Sequence, residues 1–137
     1  MADVVRVARL LRSISDDLAH LEAEAGASMQ RRADPMWIRG VKYAFVTVIE
    51  AAVDVAQHIC ASQGWGPPDT NRDALLLLGT HGVVAPELAA SMGRAAGFRN
   101  VLVHDYVRVD DALVEEKLTE LDDLRAFVAA VAAWLRN

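Results

Sequence analysis

The sequence is short of the residues that mark secreted, redox, metal-dependent or strand-rich domains. It has one cysteine, Cys60, so no internal disulfide can form, and its apolar neighbours predict a thiol that lines a core and takes no part in chemistry. Four prolines in 137 residues and 6% aromatics are too few for a sandwich or barrel of short strands joined by turns. There is no Gly-rich phosphate loop and no Ser/His/Asp arrangement, which excludes kinases and ordinary hydrolases. His20, His58 and His81 are isolated, and no His/Cys/Asp/Glu set has ligand spacing, so no metal is expected in this chain. Trp37, Trp65 and Trp134 are too scattered for a base-stacking platform and are read as core or interface anchors. Met1-Ala2-Asp3-Val4-Val5-Arg6 lacks the apolar run of a signal peptide, and every apolar run falls short of the roughly 20 residues that span a bilayer, so a cytoplasmic location is expected. A basic stripe is missing too. The net charge of -5 excludes a nonspecific nucleic-acid binder and confines any RNA contact to a local patch.

What is present is apolar residues at helical spacing. Hydrophobic residues make up 53% of the chain and are dominated by Ala, Val and Leu, which predicts an all-α protein. Val7, Leu11, Ile14, Leu18 and Leu21 recur at steps of three and four, predicting a first amphipathic helix from about Asp3 to Glu24. A loop follows through Ala25-Gly26-Ala27-Ser28 and Ala33-Asp34, with Pro35 in the first turn of a second helix. That helix carries the stripe Val41, Phe45, Val48, Ala52, Val55 and Ile59 and ends in Gln63-Gly64-Trp65-Gly66-Pro67-Pro68-Asp69. Thr70 and Asp73 have capping-box spacing and open a short third helix through Ala74, Leu75, Leu77 and Leu78, ending near Gly79. Pro86-Glu87 opens a fourth, and Val114, Leu121, Leu124, Val128, Val131 and Leu135 define a fifth, opened by acidic residues from Asp110 to Glu116. The expected architecture is an antiparallel four-helix bundle with a short additional helix, one domain over residues 1–137.

Along the fourth helix, Leu88, Met92, Ala95, Arg99, Leu102 and Tyr106 fall on one stripe at ~100° per residue, so Arg99 and Tyr106 are expected to face the same way. A second stripe, Ala89, Gly93, Gly97, Asn100 and His104, is a line of small residues that lets another helix approach closely and leads to a polar pair. Arg99 and His104 are five apart and point about 140° from one another. One chain therefore assembles them poorly, whereas a two-fold axis beside the small-residue stripe would bring both residues from two subunits into one cleft. Taken singly, Arg99 reads as a surface ion pair and His104 as an imidazole at the negative end of a helix. Their joint appearance in one register favours a functional site. Glu50 and Asp54, at i and i+4 on the second helix, come within reach of Arg99 but read as an exposed acidic face.

The run Arg99-Asn100-x-x-x-His104-x-Tyr106 resembles the Arg-x4-6-His-x-Tyr signature of HepT-like toxins in the HEPN superfamily. Gly97-Phe98 before it, the Val107-to-Asp110 exit after it and the Ile49-Glu50-Ala51-Ala52 segment of the second helix are also similar to that family. The resemblance implies a metal-independent ribonuclease, acting as a homodimer and serving as the toxin of a type II-like toxin–antitoxin pair. The implied antitoxin is an MntA-like nucleotidyltransferase that uses ATP and Mg2+ to place AMP on Tyr106. In that scheme His104 is general acid or base toward a ribose 2′-hydroxyl or a leaving oxygen, since an imidazole titrates near neutral pH. Arg99 holds the phosphate with a planar fork, and Asn100 orients the imidazole or an RNA oxygen. A phosphodiester on Tyr106 would add bulk and negative charge beside them. A phenol, with a pKa of about 10, attacks poorly at neutral pH, so the base and Mg2+ must come from the antitoxin. Two other readings share this fold: a non-catalytic helical subunit that docks on a nucleotidyltransferase, and a motif that only holds a dimer together through Ala89, Gly93 and Gly97.

Overall fold

The computed structural model describes residues 2–105 and 108–137, which form seven α-helices and no strand. α1 (Val4–Ala25) begins where the Asp3 carboxylate accepts the Arg6 N–H, and the five residues of its predicted stripe are all buried. α3 (Pro35–Gln63) starts on the Asp34 cap and buries the whole predicted stripe from Val41 to Ile59. It stops at Gly64, whose φ of 73° lies in the left-handed region that glycine adopts without steric cost, and the Gly64 N–H returns to the Cys60 carbonyl. α4 (Asn71–Thr80) is capped by Thr70, whose hydroxyl accepts the Asp73 N–H at 3.0 Å.

The long helices α1, α3, α5 (Pro86–His104) and α7 (Asp122–Leu135) form the expected bundle around one continuous core. Adjacent helices run antiparallel. The Asp3 N–H at the start of α1 meets the His58 Nε2 near the end of α3, and Glu22 late in α1 meets Arg125 early in α7. By length and composition α3 could cross a membrane, contrary to the expectation that no segment would qualify, but 56% of its most apolar stretch is buried among α1, α4 and α5. Trp37 is buried, while Trp65 stacks on His81 with ring centres 4.0 Å apart and leans on Trp134, closing the bundle where α3, α4 and α7 meet.

Two features differ from the expected pattern. The segment expected to be loop contains a further turn of helix, α2 (Met29–Arg32), capped by Ser28. Its Arg32 donates to the carbonyls of Ala25 and Ala27, reaches Glu115 at 3.1 Å and lies over the Trp37 ring, so one side chain satisfies the end of α1 and joins it to α3 and to the segment carrying Glu115. The expected fifth helix is two helices, α6 (Asp111–Lys117) and α7. Between them the N–H groups of Leu118, Thr119 and Glu120 bond to carbonyls three residues back, and the Thr119 hydroxyl takes the Glu116 carbonyl. Leu118 and Leu121, on either side of this turn, are both buried.

The small-residue stripe of α5 is largely used within the chain. A Cβ added at Gly79 of α4 would lie 2.6 Å from the Ala89 Cβ, and one added at Gly93 would lie 3.1 Å from the Arg72 Cγ. The helix that approaches closely is therefore α4 of the same subunit, and of the three small residues Gly97, with nothing within 4 Å of its added Cβ, remains open.

Candidate active site

The last turn and a half of α5 carries the motif. Met92 and Leu102 lie on the buried face at 1% exposure and fix the helix rotation, so Arg99, between them on the same stripe, emerges at the edge of the core with its side chain 23% exposed. All three guanidinium nitrogens are engaged. Nε and Nη2 donate to Oε1 of Glu50 at 3.1 and 2.5 Å, and Nη1 donates to Oδ1 of Asn100 at 3.0 Å. Glu50, expected on an exposed acidic face, keeps its side chain 45% exposed but is also the partner of Arg99, brought there by the packing of α3 against α5. Asp54, one turn on, stays exposed.

Asn100 and His104 lie on the exposed side of α5, together with Gly97, Val101 and Val103. The two valines are 45% and 43% exposed, high values for β-branched apolar residues beside a polar pair. Among the described residues no hydrogen bond joins His104 to Arg99 or Asn100. The structure joins Arg99 with Asn100 and leaves the imidazole of His104 facing solvent about one and a half turns away. α5 ends at His104, with the Asp105 N–H bonded to the Val101 carbonyl, so the stripe through Arg99 is described only as far as Leu102. Tyr106, expected to continue it, lies outside the described residues, as does Val107.

A second charged residue escaped the sequence reading. Lys42 is 6% exposed, and its Nζ lies 2.8 Å from Oδ1 of Asp111 in the first turn of α6. This pair ties the chain that leaves the motif back onto α3. The visible signal for Lys42 and Glu50 is the same: each is a charge inside an otherwise apolar helix. One turn before Arg99, a groove of about 340 Å³ with Phe45, Ile49, Met92, Ala95, Phe98 and Leu124 in its lining opens between α3, α5 and the start of α7. The acids on its rim are already engaged, Glu120 with Lys117 and Asp123 with the Ser91 hydroxyl.

Elsewhere titration follows local partners. The Glu24 carboxyl is held below its ordinary range, first by the hydrogen bonds from Arg31 at 2.6 Å, with the Arg31 charge and the Trp37 N–H adding to them against the cost of partial burial. Burial pushes the Cys60 thiol upward.

The sequence and the fold are similar to those of known proteins. A protein named mRNA nuclease HepT from Shewanella oneidensis is 32% identical over 85 residues, covering 61% of this chain and 64% of that protein. One named tRNA nuclease HepT from Aphanizomenon flos-aquae is 36% identical over 63 residues, 46% of this chain and 43% of that protein. These alignments span less than two thirds of either relative. In solved structures, the tri-AMPylated Shewanella oneidensis HEPN toxin in complex with MNT antitoxin matches with a TM-score of 0.86 at 25% identity, covering 97% of this chain and 99% of that one. The family described as Ribonuclease HepT-like matches residues 8–131, from the first turns of α1 into the last turns of α7, and the chain belongs to that family.

Proposed function

We propose that the protein is a metal-independent endoribonuclease and the toxin of a toxin–antitoxin pair, acting in the cytoplasm as a homodimer whose cleft is lined by Arg99, Asn100 and His104. The observation that carries this reading is the state of the motif on α5: Arg99 is half-buried and held by two partners, while His104 is exposed beside Gly97, Val101 and Val103. A guanidinium fixed in direction suits a phosphate, and an accessible imidazole suits proton transfer. Because the two residues sit about 140° apart on one helix, a second copy docked on the exposed valines supplies the missing wall. In the cleft, the ribose 2′-oxygen attacks the adjacent phosphorus and the bond to the 5′-oxygen breaks. His104 takes the 2′-proton or returns one to the leaving oxygen, Arg99 neutralises the crowded phosphate, and Asn100 orients it.

Silencing follows from transfer of AMP to Tyr106 by a nucleotidyltransferase antitoxin. The phenolic oxygen displaces pyrophosphate from the α-phosphorus of ATP, with ATP and Mg2+ held by the antitoxin, and the added phosphodiester places negative charge two residues from His104. Two assays test the reading. Intact-mass spectra of the protein made with and without the nucleotidyltransferase should differ by one or more AMP units, and Tyr106→Phe should remove the difference. The unmodified protein should cleave RNA without added divalent metal, and His104→Ala should lower the rate by about 10²- to 10⁴-fold. An unmodified dimer with no nuclease activity would instead favour the non-catalytic docking subunit.

A further inference from the structure

From the Arg99–Glu50 contact we infer that Glu50 is a positioning residue of the active site, holding one edge of the Arg99 fork so that the other is presented to the scissile phosphate. The inference rests on the role proposed for Arg99. A guanidinium offers two hydrogen-bonding edges: a side edge formed by Nε–H and one Nη2–H, and an end edge formed by the remaining Nη protons. A single oxygen of Glu50 accepts from both Nε and Nη2, so the carboxylate occupies the side edge and does not bridge the end. Asn100 takes one Nη1 proton, which leaves one proton on Nη1 and one on Nη2 for a bound oxyanion.

The placement of the acid supports a positioning role over a chance surface pair. Glu50 and Arg99 lie 49 residues apart in sequence and belong to helices locked together by buried neighbours, Ile49 on one side and Met92 and Leu102 on the other. The Arg99 side chain is 23% exposed and Glu50 45%, so the pair sits at the edge of the core with the arginine as its more enclosed member. An arginine on a flexible stem otherwise loses much of its rotamer freedom each time it grips a phosphate, and a fixed carboxylate supplies that ordering beforehand. The opposite arrangement, a carboxylate bridging Nη1 and Nη2, would close the end edge; here the Glu50 oxygen touches only Nε and Nη2.

The test compares purified, unmodified wild type with Glu50→Ala, Glu50→Gln and Arg99→Ala on one defined RNA, measuring kcat and KM and checking each fold by thermal melt. Glu50→Ala should lower kcat by roughly 10- to 100-fold, the range expected when a catalytic group is slightly misplaced, with KM within about threefold of wild type. Glu50→Gln keeps an oxygen for Nε and Nη2 and should recover part of the loss. If Glu50→Ala leaves kcat unchanged or raises it, or if only KM moves, Glu50 does not position Arg99. If Glu50→Ala does not fold, Glu50→Ser, too short to reach Nε and Nη2, decides in its place, and wild-type kcat with wild-type KM again overturns the inference. Undiminished cleavage by Arg99→Ala would instead refute the role of Arg99 itself, a separate failure.

Discussion

The contact between α4 and α5 makes a prediction in which helix propensity and packing oppose one another. Gly79 and Gly93 both lie inside helices, and replacing a helical glycine with alanine stabilises by up to about 1 kcal/mol when the new methyl is free of contacts. At Gly79 it is not. The methyl would lie 2.6 Å from the Ala89 Cβ, which is attached directly to the backbone of α5, and 3.5 Å from the Pro86 Cα. Two methyl carbons need nearly 4 Å, so the helices must part by about 1 Å, an overpacking that costs roughly 1–3 kcal/mol. Gly79 is also in the last turn of α4, where the propensity gain is least. The net expectation is a loss of about 1–2 kcal/mol, or a Tm lower by roughly 4–8 °C for a chain of this size. At Gly93 the new methyl meets the Cγ of Arg72 at 3.1 Å, the stem of an exposed side chain that can turn away, so Gly93→Ala should raise Tm by roughly 2–4 °C. Calorimetric melts of both variants, with Gly79→Ala/Ala89→Gly as the compensating pair, close a double-mutant cycle. A rise in Tm for Gly79→Ala, or no recovery in the double variant, would refute the close approach of α4 and α5.

The remaining predictions concern titration, reactivity and charge. Glu24 has a lowered carboxyl pKa in the fold, so its pairing with Arg31 and Trp37 stabilises fully above the ordinary glutamate value and is lost as pH falls through the lowered one; the Tm difference between wild type and Glu24→Gln should therefore vanish on acidification, and a difference that grew toward low pH would contradict the sign. The Cys60 thiol, buried and raised in pKa, should resist alkylation at neutral pH in the native protein and react at once in denaturant, as followed by mass spectrometry. Arg94 and Arg108 are exposed and make no ion pair among the described residues. With two copies contributing them, log K for RNA against log salt should have a slope between about -2 and about -4, and a slope much steeper would mean a basic surface beyond the motif.

The helices were legible because each of their cores repeats at one period: the stripes of α1 and α3 point inward at every predicted position. α2 was hidden because it is a single turn whose order comes from Arg32, a polar side chain reaching carbonyls and an acid 83 residues away. The division of α6 from α7 was hidden for another reason. Neither Gly nor Pro marks it, and the apolar positions on both sides stay in a plausible register, so the run of bonds to carbonyls three residues back from Leu118 to Glu120 has no signal in the sequence.

The candidate site shows the same limit more sharply. Arg99, Asn100 and His104 could be picked out together because one short segment carries them, and helical geometry alone says that this segment cannot close around a substrate. What completes the surroundings of Arg99 comes from elsewhere in the chain. Glu50 arrives from a helix 49 residues earlier, and its charge, one among several on α3, gives no sign of which it will meet until α3 is laid against α5. Sequence patterns report which face of a helix is dry, because burial recurs along it. They do not report which single charge on a wet or half-wet face will find a partner, because that depends on the crossing of two helices. The exposed valines beside His104 extend the point past the single chain: Val101 and Val103 break the polar pattern of an outer face for a reason that no contact within the subunit supplies among the described residues, and a second α5 laid against them by a two-fold axis would cover them and bring a second His104 to the same cleft.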